Sequence, residues 1–228
     1  MKIYYQNETT TLYHGDCLEI LAELPAVDLV LTDPPYNVGI KYGDGTNDSQ
    51  KTDDFVRWMT PIFRACREKS KTMLISTGNP QLKYYAVIEP WKWLLCWWKP
   101  AAMGCSPVGI CNWEPIALWG DGSKGGCDVV RAPIIPDQDV KGHPCPKPLL
   151  WAKGCIKLFP KHRSVLDPFC GSGTTLLAAQ QMEKTAIGIE VEERFCEMTA
   201  RRLEKDLQQP RMLKIEDGVK VDSSATMF

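Results

Sequence analysis

The chain has 228 residues, of which 44% are hydrophobic, and a formal net charge of −1. It can therefore bury a full core, is not disordered by default, and carries no bulk basic charge that would advertise a nucleic-acid partner. It contains no run of eighteen apolar residues and its N-terminus lacks the apolar core of a signal peptide, so neither a membrane span nor export is expected and the expected compartment is the cytoplasm.

In chain order, Thr11–Asp16 reads as a short strand and Cys17–Leu24 as a helix with Leu18, Ile20, Leu21 and Leu24 on one face. Asp28–Thr32 is nearly all apolar, the pattern of a strand buried on both faces. Asn37–Asp53 is polar and rich in Gly and Asp, and is expected to be a mobile loop. Asp54–Ser70 is a predicted helix, with Phe55, Trp58, Met59, Ile62, Phe63 and Cys66 spaced for one buried stripe. Thr72–Ser76 follows as a strand and Pro80–Ile88 as a helix.

Trp91–Lys99 and Pro115–Trp119 read as further strands. The first holds Trp91, Trp93, Trp97 and Trp98, which suit core packing better than a base-stacking platform. Gly120–Gly142 has little periodicity and is expected to be an irregular insertion. Pro148–Leu158, Thr174–Met182 and Glu192–Leu207 are predicted helices, with strands at Ser164–Phe169 and Thr185–Val191. The polar tail, residues 208–228, adds little core. Strands alternating with helices predict a single α/β domain over 1–228, with a doubly wound, mostly parallel sheet. The ten cysteines include no C-x-x-C pair, so buried reduced thiols are expected and no metal site is.

Two strand ends carry the chemistry. After Ser164–Leu166, the turn Asp167-Pro168-Phe169-Cys170-Gly171-Ser172-Gly173 leads into a helix opened by Thr174. Its glycines allow tight curvature, and the helix start offers unpaired N–H groups to a phosphate or to a carboxylate. Glu190 ends the next strand, where a doubly wound fold holds ribose hydroxyls. Dehydrogenase cofactors use the same geometry, so this half alone leaves the reaction open.

The other strand end is Asp33-Pro34-Pro35-Tyr36. An exocyclic base amine is a weak nucleophile that needs acceptors for its hydrogens. Asp33 supplies one and the Pro34 carbonyl a second, while Pro34 and Pro35 stiffen the turn. Tyr36 offers a face on which an extruded base can stack.

These motifs and their order make the chain resemble the S-adenosylmethionine-dependent amino DNA methyltransferases of the beta group, in which D-P-P-Y precedes F-x-G-x-G. The resemblance covers nearly all of residues 10–205. It implies a Rossmann-like, seven-stranded methyltransferase sheet with circularly permuted motif order and a small target-recognition insertion near 100–142. It implies that Asp167, Phe169, Gly171, Ser172, Gly173 and Thr174 hold the methionine part of the cofactor and that Glu190 takes its ribose. Asp16 and Cys17 would lie beside the adenine. His143-Pro144-Cys145-Pro146-Lys147-Pro148 is similar to the family's H-P-x-x-K-P element, so His143 and Lys147 would complete the cofactor pocket; Pro146 departs from the usual Gln or Glu. Trp113-Glu114-Pro115 looks like the segment before the recognition region.

The leading Asp of D-P-P-Y leans toward adenine N6. Cytosine N4 is the nearest alternative, followed by an RNA target and a non-catalytic reader. DNA is the expected partner, met by Gly120–Gly142 and Asn37–Asp53 with support from basic residues between Lys141 and Arg163; a second basic cluster is Arg64, Arg67, Lys69 and Lys71. A restriction-modification setting and a homodimer are both compatible with the sequence.

Overall fold

The apolar runs become strands of one central sheet and the amphipathic segments become its covering helices. The computed structural model describes residues 2–43, 48–102, 104–123, 126–135 and 137–208. In chain order these hold β1 (Lys2–Gln6), β2 (Thr10–His14), α1 (Cys17–Glu23), β3 (Leu29–Thr32), α2 (Thr52–Lys69), β4 (Thr72–Ser76), α3 (Leu82–Ile88) and β5 (Trp93–Trp98). Then come β6 (Gly104–Ser106), β7 (Gly109–Cys111), β8 (Trp113–Gly120), β9 (Val129–Arg131), α4 (Leu149–Lys157), β10 (Ser164–Asp167), α5 (Thr174–Gln181), β11 (Thr185–Glu190) and α6 (Glu193–Gln208). Apart from Gln208, the predicted polar tail lies outside the described residues.

The main sheet has nine strands in the order β1-β2-β11-β10-β3-β4-β8-β5-β9, and β6 and β7 form a separate hairpin. All seven predicted strands are present, but the expectation of a seven-stranded sheet is corrected by β1 and β9 at the two edges. Neither could be read in advance. β1 is half exposed on both faces, so its apolar pattern is faint, and β9 is three residues long. The pairs β2–β11, β11–β10, β10–β3, β3–β4 and β5–β9 are parallel; β1–β2, β4–β8 and β8–β5 are antiparallel.

Leu29, Val30 and Leu31 are fully buried, and each contributes about 1.5–3 kcal/mol by leaving water. On one face the sheet buries α4, α5 and α6 through Trp151, Cys155, Leu176, Ala179 and Leu203. On the other it buries α1, α2 and α3 through Leu21, Phe55, Ile62, Phe63 and Tyr85. With both faces covered by helices, the strand ends are left open, and the parallel strands direct their carboxyl ends to one side, where open α/β sheets hold ligands. Among the described residues no helix is long and apolar enough to cross a membrane.

The antiparallel course of β8 divides the insertion. Trp113, at its start, pairs with Trp98 at the end of β5, whereas Gly120 pairs with Thr72 at the start of β4. The β6–β7 hairpin therefore belongs to the carboxyl-end side, and the chain just after Gly120 lies at the opposite end. β9 then returns parallel to β5, bringing Arg131 beside Trp98.

Candidate active site at the strand ends

β10 delivers Asp167 to the carboxyl end of the sheet, buried beside β3. Its Oδ1 accepts from the Thr32 hydroxyl at 2.7 Å and from the Phe169 N–H at 3.1 Å. Burial pushes its carboxyl up to about 7, against the pull of hydrogen bonds from Thr32, Thr175 and Phe169. The turn that follows needs its glycines. Gly171 has φ +51° and Gly173 φ +75°; a Cβ at Gly171 would meet His143 Nε2 at 2.8 Å, and one at Gly173 would meet Thr199 Cγ2 at 2.4 Å.

The turn is fastened from behind. The Thr199 hydroxyl donates to the Gly171 carbonyl at 2.9 Å, and Arg202 donates to the Ser172 carbonyl and, at 3.3 Å, to Thr174 Oγ1 and Asp137 Oδ2. The Thr174 hydroxyl donates to the Lys147 carbonyl at 3.1 Å, tying α5 to the segment before α4. Ser172 and Thr174 are buried, and the Phe169 ring packs edge-on to Trp58.

Glu190 ends β11 beside this turn. Its Oε2 accepts the Gly171 N–H and its Oε1 the Glu192 N–H, both at 2.8 Å. Burial pushes its carboxyl up, while the N–H groups of Glu192, Gly171 and Val191 oppose the rise. Each oxygen keeps a further lone pair, so the carboxylate can also receive hydroxyl groups. Asp16 caps α1 by accepting from the N–H groups of Leu18 at 2.8 Å and Glu19 at 3.3 Å. Burial pushes the Cys17 thiol up to about 12, so it stays protonated.

His143 lies against Phe195, with ring centroids 4.6 Å apart. Burial, reinforced by Lys147, Arg202 and Arg194, lowers its pKa to about 4. The ring is neutral at pH 7. Its Nδ1 accepts the Cys145 N–H at 3.3 Å, which leaves the hydrogen on Nε2, facing Gly171.

β3 carries Asp33 to the same end. Its Oδ2 accepts from Lys147 Nζ at 2.6 Å, while the buried Oδ1 has no hydrogen-bond partner among the described residues. Burial pushes the Asp33 carboxyl above the usual range, and the Lys147 ammonium works against this. The Tyr36 hydroxyl is close enough to assist Lys147, but its hydrogen bond goes to Glu114 Oε2 at 3.1 Å, with Ser76 Oγ at 3.3 Å. Glu114 in turn accepts from Lys99 Nζ at 2.7 Å. The Lys147 ammonium lies 4.8 Å from the Tyr36 ring centre and 5.4 Å from that of Trp97. Pro34 is buried and Pro35 half-buried, so the acid sits in a rigid turn.

Between the two strand ends is a cavity of about 340 Å³. Its wall includes Asp16, Cys17, Asp33, Pro35, His143 and Lys147, and from the late motifs Asp167, Phe169, Gly171, Ser172, Thr174 and Glu190. Pro34, Tyr36 and Gly173 are not in the wall, although all three shape residues that are. Lys147, expected in the cofactor pocket, also reaches across to Asp33. Sequence reasoning missed Tyr42, Gln50, Trp58, Trp151 and Phe195 in the wall, because each reads as loop or helix stripe until the helices are docked. It also missed Arg202, which is one of several basic residues along α6 and differs only in being buried.

The described ends of the predicted mobile loop are tied down by a buried acid. Asp48 accepts from the N–H groups of Asn37 at 2.6 Å, Val38 at 3.1 Å and Ile40 at 2.9 Å. The expected basic support for a DNA face is divided by the fold. α4 starts beside Lys147 and runs away from the site, so Lys157, Lys161 and Arg163 come to the start of β10, at the far end of the sheet. Arg67, Lys69 and Lys71 lie at that far end too, where Lys69 donates to the Leu24 carbonyl at 2.6 Å and Arg67 pairs with Glu89 at 3.5 Å. The chain just after Gly120 is at the same end, and the unpredicted β6–β7 hairpin takes its place on the side of the site.

A family profile described as DNA methylase matches residues 27–103 and 117–201. YubD of Escherichia coli (strain K12), a methylase by name, is 32% identical over 83% of this chain and 88% of its own length. The DNA adenine methyltransferase YhdJ of the same organism is 26% identical over 88% of this chain and 84% of its own. Among solved structures, the PvuII DNA methyltransferase, named as cytosine-N4-specific, superposes with a TM-score of 0.71 at 17% identity, covering 93% of this chain and 91% of that one. The M1.HpyAVI–SAM complex gives 0.64 at 22% identity, covering 85% and 98%. At these identities the structural likeness establishes the fold.

Proposed function

Because the chain belongs to the DNA methylase family of the N6-adenine/N4-cytosine type, we propose that it methylates the N6 amine of adenine in DNA, with S-adenosylmethionine as methyl donor. The observation that carries this reading is Asp33 Oδ1, a buried acceptor at a strand end with no hydrogen-bond partner among the described residues. An unpaired buried acceptor costs about 1–3 kcal/mol, and a substrate amine that donates to it removes that cost. The order of the motifs, Asp33–Tyr36 before Phe169–Gly173, supports assignment to the beta group. The adenine preference rests on the leading Asp of that motif, in line with the relative YhdJ.

The cavity fits the cofactor by its polarity. Glu190 and Asp16 supply acceptors for ribose and adenine at one end. Gly171 keeps the turn clear where a side chain would collide with His143. Asp167 and Asp33 place two carboxyl groups within the wall, suited to cationic groups. When bound, S-adenosylmethionine supplies an electrophilic methyl group on a sulfonium.

In this reading the target base leaves the duplex stack and lies on the Tyr36 ring. Asp33 Oδ1 and the Pro34 carbonyl accept the two amine hydrogens and aim the nitrogen lone pair at the methyl group. The Glu114 and Ser76 contacts hold the Tyr36 hydroxyl, so the ring is fixed before the base arrives. As the N–C bond formed, the methyl–sulfur bond would break with its electron pair left on sulfur, giving the thioether S-adenosylhomocysteine, and the Asp33 carboxylate would stabilise the positive charge gained by the amine. Its raised pKa suits Asp33 Oδ1 to receive the surplus amine proton afterwards.

Incubation with DNA and methyl-labelled S-adenosylmethionine, followed by nucleoside analysis, tests the proposal. Label in N6-methyladenine supports it, label in N4-methylcytosine transfers the same mechanism to cytosine, and unlabelled DNA overturns it. Asp33→Ala should lower turnover by more than about a hundredfold and weaken S-adenosylhomocysteine binding far less by calorimetry, since Asp167 remains in the wall. Loss of both together would make Asp33 a structural residue.

A further inference from the structure

Trp151 presents the second orphaned polar atom of the cavity wall. It is 1% exposed, its indole Nε1 is buried, and that N–H has no hydrogen-bond acceptor among the described residues. The lone donor is therefore a cost that a ligand can remove.

The surroundings indicate what kind of ligand group this is. Trp151 lies in the first turn of α4, which begins two residues after Lys147, whose carbonyl accepts from the Thr174 hydroxyl at the first residue of α5. The cavity wall near Trp151 thus combines the indole N–H, the Lys147 ammonium and the N-terminus of an eight-residue helix. The Lys147 ammonium is paired with Asp33 at 2.6 Å, and Asp167 shares the wall, so this end sets donors beside carboxyl groups, as suits a zwitterion. The opposite end, with Glu190 and Asp16, presents acceptors. A zwitterionic ligand lying along the cavity therefore sets its anionic group on these donors, its ammonium toward the carboxyl groups and its hydroxyl groups beside Glu190.

We infer that the Trp151 indole N–H donates a hydrogen bond to the carboxylate at the amino-acid end of the cofactor. This rests on the reading of the cavity as an S-adenosylmethionine site, and it assigns the polarity of that site to a residue outside both sequence motifs.

The test compares S-adenosylhomocysteine with 5′-methylthioadenosine, which keeps the nucleoside and thioether but has no amino-acid carboxylate. By calorimetry, Trp151→Phe should weaken S-adenosylhomocysteine about tenfold, as expected for one hydrogen bond to a charged group, and leave methylthioadenosine unchanged. Unchanged affinity for both overturns the inference and leaves the indole N–H directed at a ring such as Trp97, whose centroid is 6.2 Å away. Equal loss for both also overturns it, because the residue is then only packing. A measurement on the unaltered protein guards against a variant that fails to fold. In nitrogen-15 spectra one buried indole N–H resonance should move downfield with S-adenosylhomocysteine and not with methylthioadenosine, and absence of such a signal refutes the assignment. If the unaltered protein binds neither ligand, the cofactor reading itself fails, an outcome distinct from failure of Trp151 alone.

Discussion

Replacing Asp167 by Asn removes a charge from the most enclosed acid of the site while keeping an oxygen for the Thr32 hydroxyl and the Phe169 N–H. The carboxyl titrates near 7 in the folded protein because it is buried, against an ordinary value of 3.8. The folded state therefore holds a proton that the unfolded chain releases. Stability from this group is fully present below pH 3.8, is lost progressively as pH rises, and is gone above about pH 7. A difference of about 3 pH units at about 1.4 kcal/mol each sets a ceiling of about 4 kcal/mol. Between pH 5 and pH 8.5 the unfolded acid is already ionised, so about 2–3 kcal/mol of that loss falls in this window. Asn does not titrate and escapes it. Urea denaturation of both proteins at pH 5, 6, 7 and 8.5 should show the variant gaining about 2–3 kcal/mol relative to the parent as pH rises. The other titrating groups act on both proteins and drop out of the comparison. A difference that stays constant across this range refutes the raised pKa and, with it, the claim that Asp167 is held in a desolvated seat between β10 and β3.

Gly171→Ala forces a side chain into left-handed backbone and against His143, and should lower stability by about 1–3 kcal/mol in thermal denaturation and weaken S-adenosylhomocysteine binding. Tyr36→Phe keeps the ring but strips Glu114 and Ser76 of a partner, so turnover should fall only several fold, whereas Tyr36→Ala should remove nearly all of it; steady-state methylation assays separate the two. Arg202→Met breaks the buried hydrogen bond to the Ser172 carbonyl and the contact with half-exposed Asp137, and chemical denaturation should show a loss of about 1–3 kcal/mol, with Arg202→Lys recovering part of it.

Seven strands and six helices were legible in the sequence because each carries its own period. β3 is an unbroken apolar run, and α2 repeats buried residues at helical spacing from Phe55 to Cys66. The site motifs were legible for a similar reason. A strand ending in Asp-Pro-Pro-Tyr, and a strand ending in Asp before two glycines, state their local chemistry in consecutive residues. Family and reaction type are what the resemblance carried by those motifs and their order implies, with no three-dimensional information.

Tertiary structure alone decided everything that depends on how distant segments meet. Lys147 reads as part of the cofactor pocket, yet 114 residues of separation close to a 2.6 Å ion pair with Asp33. Arg202 is unmarked among the charges of the predicted helix Glu192–Leu207, yet docking of α6 buries it under the glycine turn. Trp151 carries no mark of its own within the predicted helix Pro148–Leu158, and only the packed structure leaves its N–H without an acceptor among the described residues. The basic stretch after Lys141 is continuous in sequence, but α4 carries half of it to the far end of the sheet. The physical reason is common to all four. Periodicity and turn chemistry are set by neighbours within a few residues, whereas burial, pairing and the side of the sheet on which a charge emerges are set by packing partners that the local pattern does not encode.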